Sequence, residues 1–343
     1  MISKNNITFL LISFGIFLVG YSLPAILPIQ EVETEIKWPP SVYDFEKNPL
    51  DSIQVELGRA LFYDPILSKD NTISCASCHS NYTAFTHIDH PLSHGIYDSI
   101  GTRNSPVLVN LAWSSSFMWD GAVNNIEVQA LAPITNPSEM GEDIKSVVSK
   151  LQADSEYPER FKLAYGDSII TGQRLLKALA QFQLTLISNQ SDYDKMLSGE
   201  LNYSDQEERG YRLFQKHCVS CHQEPLLTTG GFANNGLSVD PNLLDVGRMG
   251  VTGFAADSLK FKIPTLRNIE FSKPYMHDGR FNTLSEVLKH YSEGILHSNT
   301  LAPELQNKYY LSHENQVDII TFLITLTDKE FLFNPKFSFP RNN

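Results

Sequence analysis

The sequence predicts a mainly α-helical protein of two halves, each built around one Cys-x-x-Cys-His motif and long loops. Three observations carry this prediction. Apolar residues recur at helical spacing in several stretches, while strand-like alternation is scarce. Two Ser/Thr-x-x-Glu capping boxes mark helix starts in the second half. The four cysteines all fall in two motifs, one in each half of a 343-residue chain long enough for two modest cores.

Taken in order, the chain opens with Lys4 and an uncharged apolar run from Ile7 to Leu23. Charge followed by an apolar stretch is the pattern of a secretory signal. The run is shorter than the roughly 20 residues plus flanks of a comfortable membrane span. Tyr21 to Pro28 is a poor small-residue cleavage site, so residues 1–28 are read as a signal peptide or an uncleaved membrane anchor. No cysteine follows that would take a lipid. Either way the body is expected outside the cytoplasm, in the periplasm.

Residues 29–50, rich in proline and charge, lead into a first domain at 29–195. From Asn71 to Gly101 the sequence reads as loop. Helical spacing recurs from Ile144 to Leu151 and from Arg174 to Ile187. The polar stretch from Ser188 to Asn202 reads as a linker to a second domain at 196–343. That domain opens on the box Ser204-Asp-Gln-Glu207, and a helix with Tyr211 and Phe214 on one face runs into Cys218. A second box, Thr283-Leu-Ser-Glu286, starts a helix to about Tyr291, and a last helix spans roughly Asn315 to Thr325. Beyond the motifs, the halves share little visible repetition.

The formal net charge of −12 argues against nucleic acid as a partner and favours a neutral or basic one, such as a small redox protein. The cysteines say more. In an exported chain, disulfides are one reading of Cys75, Cys78, Cys218 and Cys221, and a four-thiolate zinc site is another. The third turns on the next residue, since His79 and His222 follow the two pairs directly. Cys-x-x-Cys-His is the attachment signal for c-type haem: each thiol adds to a vinyl group, and the adjacent imidazole reaches the iron. Two copies using every cysteine favour two covalent haems.

The chain also resembles bacterial di-haem cytochrome c peroxidases and their MauG-type relatives, from about Leu57 to Leu326. The segments that carry the resemblance are Gly101-Thr-Arg-Asn-Ser-Pro106, Phe117-Met-Trp-Asp-Gly121, Pro264-Thr-Leu-Arg-Asn268 and Pro274-Tyr-Met-His-Asp-Gly279. It implies two cytochrome c-like domains: a peroxidatic haem on the N-terminal one and an electron-accepting haem on the C-terminal one. It also implies an inter-haem tryptophan at Trp119, with the peroxide-pocket glutamine and glutamate at Gln129 and Glu139. A calcium ion held by the Asn104 side chain and the carbonyls of Ser272 and Pro274 follows from the same likeness. So do hydrogen peroxide as substrate, a small cytochrome c or cupredoxin as electron donor, and the homodimer common in the family. Chemistry is consistent with these roles: a carboxylate can move the proton that O–O cleavage requires, and an amide can hydrogen-bond peroxide without changing charge.

The remaining iron ligands mix two patterns. Fourteen residues beyond His277, where the peroxidases commonly have a methionine, stands Tyr291, as in MauG-type enzymes. Leu284, Leu288 and Tyr291 fall on one helical face, so Tyr291 is expected to point inward. Met276 competes with it as ligand of the second iron, and His290 more weakly. A thioether would raise that iron's potential, and a phenolate would lower it. At the first haem, His94 best matches the distal histidine of the peroxidases, with His87 and His90 nearby. Three functions follow: a peroxidase, a MauG-like enzyme oxidising a partner protein, and a non-catalytic di-haem electron carrier. Gln129 and Glu139 argue against the last.

Overall fold

The computed structural model describes residues 38–307 and 310–340; the signal or anchor segment lies outside them. The first half contains α1 (Ser52–Tyr63), α2 (Cys75–Cys78), α3 (Ile126–Gln129), α4 (Leu131–Thr135), α5 (Ile144–Ala153), α6 (Tyr157–Tyr165) and α7 (Gly172–Leu184). Asp51 caps α1 by accepting from the N–H groups of Ile53 and Gln54, both at 2.9 Å. Thr171 caps α7, whose apolar face (Leu175, Leu179, Phe182) packs on Leu57, Leu61 and Phe62 of α1. The two helices cross at Gly58, where a Cβ would lie 1.9 Å from the Ala178 carbonyl oxygen. Only glycine permits that approach.

The second half repeats the device. It contains α8 (Asp192–Leu197), α9 (Asp205–His217), α10 (Met249–Thr252), α11 (Leu284–Lys289), α12 (His313–Ile324) and α13 (Lys329–Leu332). The box Ser204–Glu207 caps α9, and Thr283–Glu286 caps α11. Helices α9 and α12 cross at Gly210, where a Cβ would lie 2.0 Å from the Asp318 carbonyl oxygen. Among the described residues, strand is confined to β1 (Phe232–Ala233) and β2 (Phe261–Lys262), paired antiparallel with Phe232 opposite Lys262.

Two segments tie the halves together. The polar stretch 188–202 carries α8, whose Tyr193 is fully buried in the second core. Its Asp194 accepts two hydrogen bonds at 2.8 Å from the fully buried guanidinium of Arg267. At the other end, Phe331 and Leu332 of α13 return to the first core, where Phe331 meets Phe85 at 5.9 Å between ring centres.

The structure also brings out repetition that the sequence reading passed over. Gly58-Arg-Ala-Leu-Phe62 and Gly210-Tyr-Arg-Leu-Phe214 occupy the same place on α1 and α9. Pro106-Val-Leu-Val-Asn110 corresponds to Pro264-Thr-Leu-Arg-Asn268, and Phe117-Met-Trp-Asp-Gly121 follows at the same distance as Tyr275-Met-His-Asp-Gly279. The backbone agrees. Asn110 and Asn268 are left-handed (φ 57° and 61°), as are Met118 and Met276 (φ 68° and 76°). Isolated bridges close Phe117 on Val123 and Tyr275 on Phe281. At the junction the Asn104 N–H donates to the His277 carbonyl, and the Lys262 N–H donates to the Trp119 carbonyl, both at 2.7 Å. Asn104 is equivalent to Lys262 and Trp119 to His277, so the contact is reciprocal, as in a two-fold interface. Short matching words between loops of unequal length hid the repeat.

Candidate active site

Each motif is presented by a helix. In the first, Cys75 and Cys78 form α2 and His79 ends it; in the second, α9 runs to His217 and Cys218 caps it. In both, the histidine N–H donates to the carbonyl of the first cysteine at 2.9 Å. The two cysteine pairs remain in separate halves and unbridged, and no cluster of three or more His, Cys, Asp or Glu is arranged to hold a metal among the described residues. Neither the disulfide nor the four-thiolate zinc arrangement is formed.

The imidazoles are held alike. His79 Nδ1 lies 2.7 Å from the Phe85 carbonyl and His222 Nδ1 lies 3.2 Å from the Leu227 carbonyl. Both carbonyls belong to buried residues in left-handed conformation, φ 58° and 55°. Both histidines line a cavity of about 710 Å³ that also reaches Cys78, Cys218 and Cys221. Burial pushes both imidazoles down to about 4, keeping them neutral. A neutral ring oriented through its other nitrogen is what an iron ligand requires. Burial also raises the thiols, Cys75 and Cys218 to about 12 and Cys78 to about 11. The motif geometry, the neutral imidazoles and the large cavity they line fit one porphyrin at each motif.

Gln129, Glu139 and Trp119 line the same cavity. Gln129 ends α3, and its amide lies 3.6 Å from the Met118 sulfur. Glu139 follows the turn after α4 and accepts from the Asn136 amide at 2.7 Å. Burial raises its carboxyl above the usual range, and the Asn136 bond only partly offsets that. The Trp119 indole N–H donates to the Asn104 carbonyl at 2.8 Å. Asn104 therefore joins Trp119 and His277 through its backbone, while its side-chain amide donates to the Pro91 carbonyl at 3.0 Å. Asn104, Ser272 and Pro274 are all brought to the cavity wall.

The iron-ligand candidates separate. His94 does not line the cavity; its ring stacks on His90 at 4.2 Å, and His90 stacks on His87 at 5.3 Å. Tyr291 and Met276 both line it. Beyond α11 the chain widens into a π-helical turn, His290–Gly294, that carries Tyr291 inward. Burial raises the Tyr291 hydroxyl to about 12 despite a hydrogen bond from Asn235. Asn235 also donates to the Met276 sulfur at 3.4 Å, and its carbonyl lies 3.1 Å from His290 Nε2. His290 is buried against backbone, off the cavity. Asn235 thus touches all three candidates. Sequence reasoning missed it, although the turn signal Asn234-Asn235-Gly236 marks the loop that places it.

A di-haem cytochrome c peroxidase family model matches residues 52–202, and a cytochrome c model matches residues 207–327. The methylamine utilization protein MauG of Methylophilus methylotrophus is 34% identical over 299 residues, covering 85% of this chain and 88% of the relative. The cytochrome c551 peroxidase of Nitrosomonas europaea is 35% identical over 313 residues, covering 86% of each. Among solved structures, a MauG-like protein associated with microbial copper homeostasis superposes with a TM-score of 0.81 at 31% identity, over 88% of this chain and 97% of that one. Identities of this size along nearly the whole length of relatives bearing both names place the chain in the di-haem cytochrome c peroxidase and MauG family, with two cytochrome c-like domains and a haem implied for each.

Proposed function

We propose that the chain is a periplasmic di-haem peroxidase that reduces hydrogen peroxide to two waters, with two electrons from a small redox protein and two protons. The observation that carries this reading is the placing of Gln129 and a buried, pKa-raised Glu139 in the cavity that His79 lines. The haem held by Cys75, Cys78 and His79 supplies, when bound, the redox-active iron at which the O–O bond breaks. Glu139 accepts a proton on its carboxylate from one peroxide oxygen and returns it to the other. The Gln129 amide orients peroxide by hydrogen bonding. Trp119, fixed by its bond to Asn104, stands at the junction through which the second half passes electrons. The test is steady-state peroxide consumption with a reduced cytochrome or cupredoxin; no turnover with any donor rejects the reading.

Tyr291 favours a second reading, a MauG-like enzyme that oxidises side chains of a partner protein. Its buried hydroxyl lines the cavity beside Met276, and a phenolate there would lower the second iron's potential. Modification of a protein substrate, rather than simple consumption of a donor, separates the two. The first iron would take His94 as ligand only if that ring left its stack on His90; a high-spin ferric first haem at rest argues against such ligation. The neutral oxygens of Asn104, Ser272 and Pro274 suit a hard cation, and we assign calcium to them. Loss of activity on chelation and its return with calcium test that assignment.

A further inference from the structure

Lys262 is the strongest unexplained charge at the cavity. It lies on β2 and lines the cavity, and its ammonium donates to the Ser116 carbonyl and sits 5.6 Å from the centre of the Phe117 ring. No carboxylate pairs with it among the described residues. By contrast, Arg103 on the same wall is paired with Asp120 at 2.5 Å and Asp245 at 2.6 Å. Burial, the sole cause at work, lowers the Lys262 amine to about 8. A cation withdrawn from water without a counter-charge is costly. A carboxylate arriving in the cavity would supply that counter-charge.

We propose that Lys262 forms a carboxylate-binding site, and that its ligand is a propionate of the haem carried by Cys218, Cys221 and His222. Lys262 stands two residues before Pro264, whose carbonyl faces the His222 imidazole. The equivalent place in the first half is the neutral Asn104, so the first half carries no matching cation. The inference rests on the haem reading of the second motif. It assigns Lys262 a positioning role: its ammonium fixes the propionate and, by charge, raises that iron's potential.

The experiment uses the full-length, matured protein, with haem counted by pyridine haemochrome before anything else is measured. Two haems per chain in wild type upholds the underlying reading; one or none overturns it, and the proposal with it. With two haems present, Lys262→Met should lower the midpoint potential of the second haem only and shift its propionate bending modes in resonance Raman spectra. Lys262→Arg should restore both. Unchanged midpoints and modes in a fully loaded Lys262→Met protein, or a shift confined to the first haem, overturns the assignment. If Lys262→Met fails to mature, wild type with carbon-13 in its haem carboxylates decides by infrared spectroscopy. A hydrogen-bonded propionate supports the site, and only free, solvated carboxylates reject it.

Discussion

The two halves frame their haem sites with the same backbone and line them with different chemistry. Each crosses two helices at a glycine, ties an imidazole to a left-handed residue and closes a Met-x-Asp-Gly turn on a bridge. The differences fall on the cavity wall. Where α3 of the first half presents Gln129, α11 of the second presents Val287, and ungapped continuation sets Pro133 against Tyr291. In the repeat, Trp119 corresponds to His277 and Asn104 to Lys262. The first wall thus carries the Gln129 amide and the Glu139 carboxyl. The second sets the aliphatic Leu284, Val287 and Leu288 beside the Tyr291 phenol and the Met276 thioether. The scaffold sets the haem positions, and a handful of wall residues sets what each haem meets.

The largest expected effect comes from erasing that difference. Glu139→Gln should cut peroxide turnover about 100- to 10,000-fold with both haems retained. The wild-type rate should fall as pH drops through the Glu139 pKa, because the base form accepts the peroxide proton. Since burial raises that pKa, the acid limb should lie above the ordinary carboxylate range and vanish in Glu139→Gln. An acid limb at the ordinary carboxylate value would remove Glu139 from the role.

Next in size is the buried pair joining α8 to the second core. Asp194→Ala leaves the fully buried Arg267 guanidinium without its carboxylate and should cost about 3–5 kcal/mol in chemical unfolding. A loss under about 1 kcal/mol would mean the surface pair it resembles on paper. The shared helix crossing gives a smaller, paired prediction. Gly58→Ala and Gly210→Ala should each destabilise by about 1–3 kcal/mol, and by similar amounts, because each Cβ meets a carbonyl oxygen. Unequal losses would show that the halves pack less alike than their backbones. Smallest is Asn235→Ala, which frees Tyr291 and Met276 together and should shift the midpoint of the second haem while leaving the first unmoved.

How much of this was legible in the sequence follows from physical range. The capping boxes at Ser204 and Thr283 work within one helical turn, and the structure has both helices where the boxes put them. The haem motifs act over five residues and were equally plain. Helix α1 was not read, although Asp51 ahead of Leu57, Leu61 and Phe62 signalled it. Arg267 meeting Asp194, Asn235 meeting Met276, and the stacking of His94 away from the cavity depend on loops whose paths no local pattern encodes. The stretch 188–202 looked like a linker because its surface is polar; its buried side, Tyr193 and Asp194, is too short a signal to outweigh that.

The return of α13 to the first core bears on how the chain is made. Phe331 and Leu332 complete a core whose other buried members lie between Leu57 and Leu186. The amino-terminal half therefore cannot finish packing until Phe331 and Leu332 reach it. A proteolytic cut between α8 and α9 would leave the first core dependent on a wedge carried by the other fragment, so the two halves are not interchangeable modules.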